Sequence, residues 1–212
     1  MNATRAVLVP DLAATRIYLV RHGTTLLNRQ HRYRGRLDVP LDEGGWQEAW
    51  KAAAELRDSK IQAIYSSPLR RARDTARVIA DATGIATVVD QPGLVNLDYG
   101  RWEGLTPEEA STADPEAYDR YLAFSDDAAC PDGELLLNAA ERTLLSLHVL
   151  QLLHPGGVVV AVSHAVIVRF AIALVTDSPR PEWRRSLPNG SVTAFDVTSD
   201  TIRLVRAPLA VG

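Results

Sequence analysis

The run Gly157-Val158-Val159-Val160-Ala161-Val162 constrains the fold more than any other stretch of the chain. Its β-branched valines favour an extended backbone. A strand that is apolar on both faces is typical of the centre of a parallel sheet that helices cover on both sides. This run therefore predicts an α/β protein with a central strand at 157–162.

Short apolar runs and helical patterns alternate along the rest of the chain. Strands are predicted at 16–20, 61–65, 85–89 and 157–162, with a terminal hairpin of 191–197 and 201–207. Helices are predicted at 42–57, 68–83, 134–154 and 166–175, with short ones near 107–110 and 115–123. This βαβα order predicts a three-layer α/β/α sandwich with a largely parallel central sheet.

Two of the predicted helices rest on apolar residues that recur at helical spacing. In the helix at 42–57 these residues are Trp46, Ala49, Trp50, Ala53 and Leu56. In the helix at 134–154 they are Leu137, Ala140, Leu144 and Leu147. Each pattern predicts one apolar face.

The length of 212 residues suits a single domain with one core, 1–212. Residues 1–14 are expected to form a loose N-terminal tail or an added edge segment. The stretch 92–133 is rich in proline and glycine and breaks the regular pattern. It is predicted to be a small cap-like insertion over the active site.

Composition narrows the possible partners and location. The formal net charge of -3 gives no domain-wide basic excess, so a nucleic-acid partner is not expected. No apolar run approaches transmembrane length, and the first residues show no secretory pattern. The lone Cys130, with no activating base beside it, is expected to be a loop thiol. A cytoplasmic location is expected, and a homodimer remains possible.

Histidines and arginines follow the ends of predicted strands. Arg21 and His22 come after the first strand, and His164 follows the central one. Because the carboxyl ends of parallel strands share one edge of a sheet, these side chains are expected to meet there. Arg70 and Arg71 enter the first turn of a helix, where a cation is unfavourable unless an anion is bound. An imidazole that attacks phosphorus beside guanidinium groups that hold its oxygens fits this set.

Five ordered motifs resemble those of the histidine phosphatase superfamily, the phosphoglycerate-mutase-like enzymes, across about residues 16–198. They are Leu19-Val20-Arg21-His22-Gly23-Thr24-Thr25 with Asn28, Arg32-Tyr33-Arg34-Gly35 and Asp38-Val39-Pro40-Leu41; Ser66-Ser67-Pro68-Leu69-Arg70-Arg71-Ala72; Gly100-Arg101-Trp102-Glu103-Gly104; Ser163-His164; and Asn189-Gly190-Ser191-Val192. The moderate length is closer to the phosphatase branch than to the longer mutases. The resemblance implies hydrolysis of a small phosphorylated metabolite, a monoester or a diphosphate, with no cofactor and no metal.

The resemblance also implies individual roles. His22 would form a phosphohistidine, and Arg21, Arg71 and His164 would form the phosphate pocket. The expected substrate-binding residues are Thr25, Asn28, Arg32, Arg34 and Ala165. Arg34 stands where glutamine is common; it either favours a second anionic group on the substrate or is a solvated surface residue. Ala165 stands where glycine is common. Neighbouring arginines are expected to keep His22 neutral and nucleophilic.

Asn96 departs from the family pattern. Family members usually carry a carboxylic acid at this position, which protonates the leaving oxygen and later activates water. An amide does neither, and losing a general acid typically costs about 10²- to 10⁴-fold in rate.

Four interpretations of Asn96 stay open. In the first, Asn96 is an introduced replacement that leaves the chain impaired. In the second, Asp98 or Glu103 supplies the proton to the leaving oxygen. In the third, the substrate has a good leaving group and needs little acid help, and in the fourth the protein is a phospholigand-binding pseudoenzyme. A phosphoglycerate-type mutase is a further alternative; it would depend on a bisphosphorylated primer.

Overall fold

The computed structural model describes residues 13–176, 183 and 185–208. The predicted tail at 1–14 therefore lies outside the described residues except for Ala13 and Ala14. The strands are β1 Thr15–Arg21, β2 Ala63–Ser66, β3 Val88–Asp90, β4 Val158–Ser163, β5 Val192–Val197 and β6 Ile202–Arg206. The α-helices are α1 Leu26–Arg29, α2 Glu43–Leu56, α3 Arg70–Thr83, α4 Pro107–Ala113, α5 Pro115–Ala123, α6 Leu136–Leu153 and α7 Ala165–Leu174.

The strands form one six-stranded sheet in the order β3-β2-β4-β1-β5-β6. The first four strands of this order are parallel, whereas β5 and β6 are antiparallel additions beside β1. β4 lies between β2 and β1, and all but its first residue are buried. The prediction of an α/β fold with a largely parallel sheet and 157–162 at its centre is confirmed.

Alternating side chains of the strands supply two cores, one on each face of the sheet. Ile17 and Leu19 of β1 point to the face that packs against α6 and α7. Val20 and its neighbours on β4 point to the opposite face, against α2 and α3. This period of two explains how a single apolar strand stabilises both layers at once.

Three predicted features of the regular elements are wrong. Leu137, expected on the apolar face of the helix at 134–154, is 38% exposed. Trp46 and Trp50 lie largely on the solvent side of α2, where they are 41% and 53% exposed; Ala49 and Ala53 face α3 and the sheet instead. The small residues let α2 approach closely, and the indoles do not fit there. The third strand begins at Val88 instead of Ile85, because the Ile85 N–H still donates to the Ala80 carbonyl oxygen of α3 at 3.1 Å.

The segment 92–133 holds two 3₁₀ turns together with α4 and α5. Its aromatic side chains pack with Tyr33, Phe170 and Trp183 in a third apolar cluster beside the sheet. Trp102 is fully buried there, and its indole N–H donates to Asp114 Oδ2 at 3.0 Å. The aromatic residues of this segment thus serve mainly to anchor it.

Across the described ranges, no helix is both long enough and apolar enough to span a membrane.

Two glycines bring the turn after β1 against the start of α2. A methyl group on Gly45 would collide with the Thr24 carbonyl oxygen, and one on Gly23 would collide with the Gly45 carbonyl oxygen. Glu48 of α2 also accepts bonds from the Thr24 N–H at 2.7 Å and hydroxyl at 3.0 Å. The position of the turn that carries His22 therefore depends on α2.

This contact predicts different outcomes for adjacent glycines. Gly45→Ala should lower the free energy of unfolding by about 1–3 kcal/mol, because backbone atoms must move to admit the methyl group. Gly44→Ala is the matched control: its methyl group would meet mainly the flexible end of Arg29 and would favour the helix. Urea denaturation of both variants tests this, and equal stability of the two would contradict it.

Candidate active site

Three adjacent parallel strands end at the same edge of the sheet and bring the predicted site together. His22 follows β1 and His164 follows β4, and the His22 N–H donates to the Ser163 carbonyl at 3.0 Å. Ser67 follows β2, on the other side of β4. The two imidazole centroids are 5.1 Å apart. Both histidines are almost fully buried.

His22 is held in one orientation. Its Nδ1–H donates a hydrogen bond to the carbonyl oxygen of Gly23 at 2.6 Å. The proton on Nδ1 leaves the lone pair on Nε2. The Asn189 amide donates to the His22 carbonyl at 3.0 Å and fixes the backbone. The ring thus has its nucleophilic nitrogen free of a proton.

The charges around His22 favour its neutral form. Burial is the largest cause that lowers its pKa well below the usual value, followed by the positive charges of Arg71 and Arg21. The prediction that neighbouring arginines keep His22 neutral is confirmed in direction. Burial, which the sequence alone does not show, has the greater effect.

His164 forms its hydrogen bond through Nε2, whereas His22 forms its bond through Nδ1. Its Nε2 lies 2.8 Å from Ser67 Oγ, which also accepts the Leu69 N–H at 3.3 Å. A hydroxyl proton donated to Nε2 leaves the ring proton on Nδ1, and this nitrogen has no partner among the described residues. Burial and then the charge of Arg71 lower the pKa of His164 well below its usual value. Nδ1–H is thus a neutral donor for an incoming oxygen.

Arg21 and Arg71 are anchored by carbonyl oxygens. Arg71 donates to Leu37 O at 2.7 Å and to Gly35 O at 2.9 Å, and Arg21 donates to Leu187 O. Within the described ranges, neither forms an ion pair with a carboxylate, and the Nε of each is buried without a partner. Burial lowers the pKa of each to about 9, so both remain cations at neutral pH.

These groups surround an open cavity of about 640 Å³. Eight of the ten residues predicted for the site line it: Arg21, His22, Asn28, Arg32, Arg34, Asn96, His164 and Ala165. Thr25 and Arg71 are not in the lining. Thr25 is buried and donates its hydroxyl to Asn28 Oδ1 at 2.9 Å. Its contact is therefore with Asn28, while Arg71 acts on the two histidines through its charge.

Arg70 and Arg71 differ although they are neighbours in sequence. Arg70 points to solvent, 3.5 Å from Asp74, and its main-chain N–H donates to Asp38 at 2.6 Å. Arg71 turns inward and is fully buried. Of the two arginines in this helix turn, only Arg71 belongs to the candidate site.

Asn96 lies in the cavity wall, where its amide donates to the Gly35 carbonyl at 3.1 Å. The two alternative acids lie elsewhere. Asp98 caps the Gly100 N–H at 2.9 Å, and Glu103 accepts the Arg36 N–H at 2.6 Å. Neither of these carboxyl groups lines the cavity. The geometry thus disfavours both as a replacement for the missing acid.

The loop that carries Asn96 is held through its main chain. Arg142 of α6 donates to the carbonyl oxygens of Gly93, Val95 and Asn96 at 2.8, 2.6 and 3.1 Å. Glu134 holds Arg142 in a paired contact at 2.8 Å and 3.0 Å. The position of residue 96 therefore depends on a partly buried ion pair outside the cavity.

Two residues to which the sequence assigned no role, Tyr99 and Arg169, also line the cavity. Asn189 of the fifth motif lines it as well, and so does Tyr121, whose aromatic ring fits either a stacking surface or the packing of the segment 92–133. A signal for Arg169 exists, since it is the single charged residue in the otherwise apolar α7. The tyrosines carry no such signal, because their pattern is equally that of an apolar core.

The remaining candidates have structural roles. Cys130 is buried, and burial raises the pKa of its thiol to about 12, which disfavours a nucleophilic role. Among the residues that the structure describes, no cluster of histidine, cysteine and carboxylate side chains could hold a metal ion.

A pair of buried histidines in a cationic cavity at a parallel sheet edge is an arrangement suited to phosphoryl groups. The model of the histidine phosphatase superfamily (branch 1) matches residues 17–208. The chain belongs to this superfamily, as its motifs predicted.

Known relatives include phosphatases. The chain is 34% identical over 154 residues to phosphoserine phosphatase 1 of Hydrogenobacter thermophilus, covering 73% of this chain and 72% of that protein. It is 39% identical over 165 residues to bifunctional protein Rv2228c of Mycobacterium tuberculosis; the match covers 77% of this chain but only 45% of that protein. The solved structure of Bacillus stearothermophilus YhfR aligns with a TM-score of 0.80 and 31% identity, covering 91% of this chain and 96% of that one.

The lowered pKa values of His22 and His164 predict a loss of stability in acid. Below about pH 6.5 the unfolded chain binds protons at these histidines and the folded chain does not, so stability falls as pH falls. The loss should reach up to about 2 kcal/mol per histidine at pH 5. Urea denaturation at pH 7.5 and pH 5 measures it.

His164→Asn should show a smaller loss between these pH values than the parent chain. His148→Asn is the control, because His148 lies on α6 outside the cavity, and this variant should keep the full loss. An unchanged pH dependence in His164→Asn would contradict the prediction.

Proposed function

We propose that this protein binds a small phosphorylated metabolite and transfers its phosphoryl group to Nε2 of His22, from which water then removes it. The observation that carries this proposal is the free Nε2 of a neutral, buried His22 beside Arg21 and the Nδ1 of His164. The similarity to phosphatases supports hydrolysis as the outcome. The expected location is the cytoplasm.

The roles follow from the contacts. In-line attack by His22 forms an N–P bond as the ester P–O bond breaks, and negative charge builds on the equatorial oxygens. Arg21 and His164 donate to those oxygens, and the buried charge of Arg71 stabilises them through space. Asn28 and Arg32 bind the substrate from the rim, and Thr25 orients Asn28. The segment 92–133 covers the site with Asn96, Tyr99 and Tyr121.

Asn96 sets the limit of this chemistry. No proton donor occupies its place, so the leaving oxygen departs without help from this side of the cavity. We infer that the protein turns over substrates with good leaving groups and is slow with alkyl phosphates. Binding of a phosphorylated ligand without turnover is the second candidate function, and the amide of Asn96 is the observation that favours it.

Restoring the acid should restore alkyl phosphate hydrolysis. Asn96→Asp and Asn96→Glu should raise kcat/KM for an alkyl phosphate by about 10²- to 10⁴-fold, because a carboxylic acid protonates the leaving oxygen. The gain for p-nitrophenyl phosphate should be smaller, since its leaving group needs little protonation. Asn96→Gln is the isosteric control for Asn96→Glu and should show no gain.

Acid-labile, base-stable phosphate on His22 is the second readout. It should appear in the parent chain and disappear in His22→Ala. If the parent chain, Asn96→Asp and Asn96→Glu all show no label and no turnover, the proposed enzymatic function is wrong. Tight phosphate binding without label would then support the second candidate function, binding without turnover.

A further inference from the structure

The cavity holds two arginines that the proposed phosphate pocket does not use. Arg34 reaches it from the loop between α1 and α2, and Arg169 reaches it from α7, about one turn after the start of that helix. They come from distant parts of the chain and line the same wall as Tyr99 and Tyr121. The hydroxyl groups of these tyrosines are 3.2 Å apart.

Each of the two arginines is tied to the protein by a main-chain carbonyl. Arg34 Nη1 donates to Arg32 O at 2.7 Å, and Arg169 Nε donates to Arg185 O at 2.8 Å. The Nε of Arg34 is buried without a partner in the part of the chain that the structure describes. In that same part, neither arginine pairs with a carboxylate, whereas Arg32 pairs with Glu109 at 2.9 Å. Arg34 and Arg169 are thus positioned but not neutralised.

The charges of these arginines affect one another. Burial lowers the pKa of Arg34, and the charge of Arg169 lowers it further. The pKa of Arg21 is also lowered first by burial and then by Arg34 and Arg169. Like charges held together at a buried site are unfavourable, and a bound anion relieves this repulsion.

The number of unpaired arginine charges indicates how many negative charges the cavity can accommodate. A phosphate dianion balances the two positive charges of Arg21 and Arg71. The charges of Arg34 and Arg169 then remain, and each guanidinium fork suits a carboxylate or a phosphate group. A phosphate ester of a neutral alcohol leaves them without a counter-charge.

We propose that Arg34 and Arg169 form a second anion subsite, which binds a carboxylate or a second phosphate group of the substrate while the ester phosphate lies against His22. The inference rests on the proposed function and deepens it: the substrate carries two anionic groups. Since the hydroxyls of Tyr99 and Tyr121 bond to each other at 3.2 Å, one of the two protons is left to be donated to the same group.

Equilibrium binding tests the subsite separately from turnover. The chain with His22→Ala prevents phosphoryl transfer, and calorimetry at constant ionic strength measures Kd for matched probes. Ethyl phosphate and propyl phosphate carry one anionic group. Phosphoglycolate and 3-phosphooxypropionate add a carboxylate at the same chain lengths, and ethylene glycol bisphosphate adds a second phosphate. At least one probe with two anionic groups should bind about 10- to 100-fold more tightly than the probe of the same chain length with one anionic group.

Variants locate the effect. Arg34→Gln and Arg169→Gln should each reduce that ratio of Kd values to within about threefold of one. Arg34→Lys and Arg169→Lys keep the charge but lose the fork, so their ratios should fall at least threefold even if the glutamine variants fail to fold. Arg36→Gln is the control: it removes the same charge at a nearby exposed position outside the cavity and should keep the ratio.

The outcomes separate the subsite from the proposed function. If ethyl phosphate binds but every probe with two anionic groups has a Kd close to that of its match with one, the second subsite is wrong and the proposed phosphate pocket stands. A high ratio of these Kd values that is unchanged in the Arg34 and Arg169 variants would also overturn the second subsite. Failure of every phosphate probe to bind would overturn both.

Discussion

Positive charge that no carboxylate neutralises is the constraint on which the whole site depends. Among the described residues, Arg21, Arg34, Arg71 and Arg169 lack acidic partners and are held by main-chain carbonyl oxygens. A carbonyl fixes a guanidinium group without cancelling its charge, so the electrostatic field in the cavity remains strong. The same field, together with burial, keeps both imidazoles neutral. Anion binding and nucleophilicity therefore have one physical origin.

This arrangement needs a rigid support, because like charges repel. The edge of the parallel sheet supplies it, since three adjacent strands end in residues of the site. The turn after β1 is fixed further by α2, through close backbone contact at Gly23 and Gly45 and through the two bonds from Thr24 to Glu48. The cost of assembling the charges is met by the packing of the two apolar cores.

The sequence predicts the features that depend on local pattern. The apolar run at 157–162 identified the central strand, and histidines just after two strands identified the sheet edge. Features that depend on packing were not accessible. Trp46 and Trp50 fit the helical period as well as Ala49 does, and only the close approach of α2 to α3 decides which of them is buried. The helical pattern alone likewise does not distinguish Arg71 from Arg70; the motif resemblance selects Arg71, and the rotation of the helix explains why Arg71 is buried and Arg70 is not.

The sequence also predicted more of the residues around the two histidines than of the rest of the cavity lining. His22, Arg21 and His164 belong to ordered motifs, whereas Arg169 and Tyr121 are brought in by the folding of α7 and of the segment 92–133. Thr25 belongs to the first motif as well, but the fold buries it behind Asn28 and outside the cavity lining. A motif indicates which residues lie near a site, whereas tertiary structure decides which of them line the cavity and which are buried behind the lining.

The bonds from Arg142 to the peptide oxygens of Gly93, Val95 and Asn96 have a consequence for substitution at position 96. Since every one of these bonds ends on the backbone, they do not depend on which side chain occupies this position. The side chain itself contributes one bond, from its amide to the Gly35 carbonyl. An exchange of amide for acid therefore changes that single contact and leaves in place the three that tether the main chain.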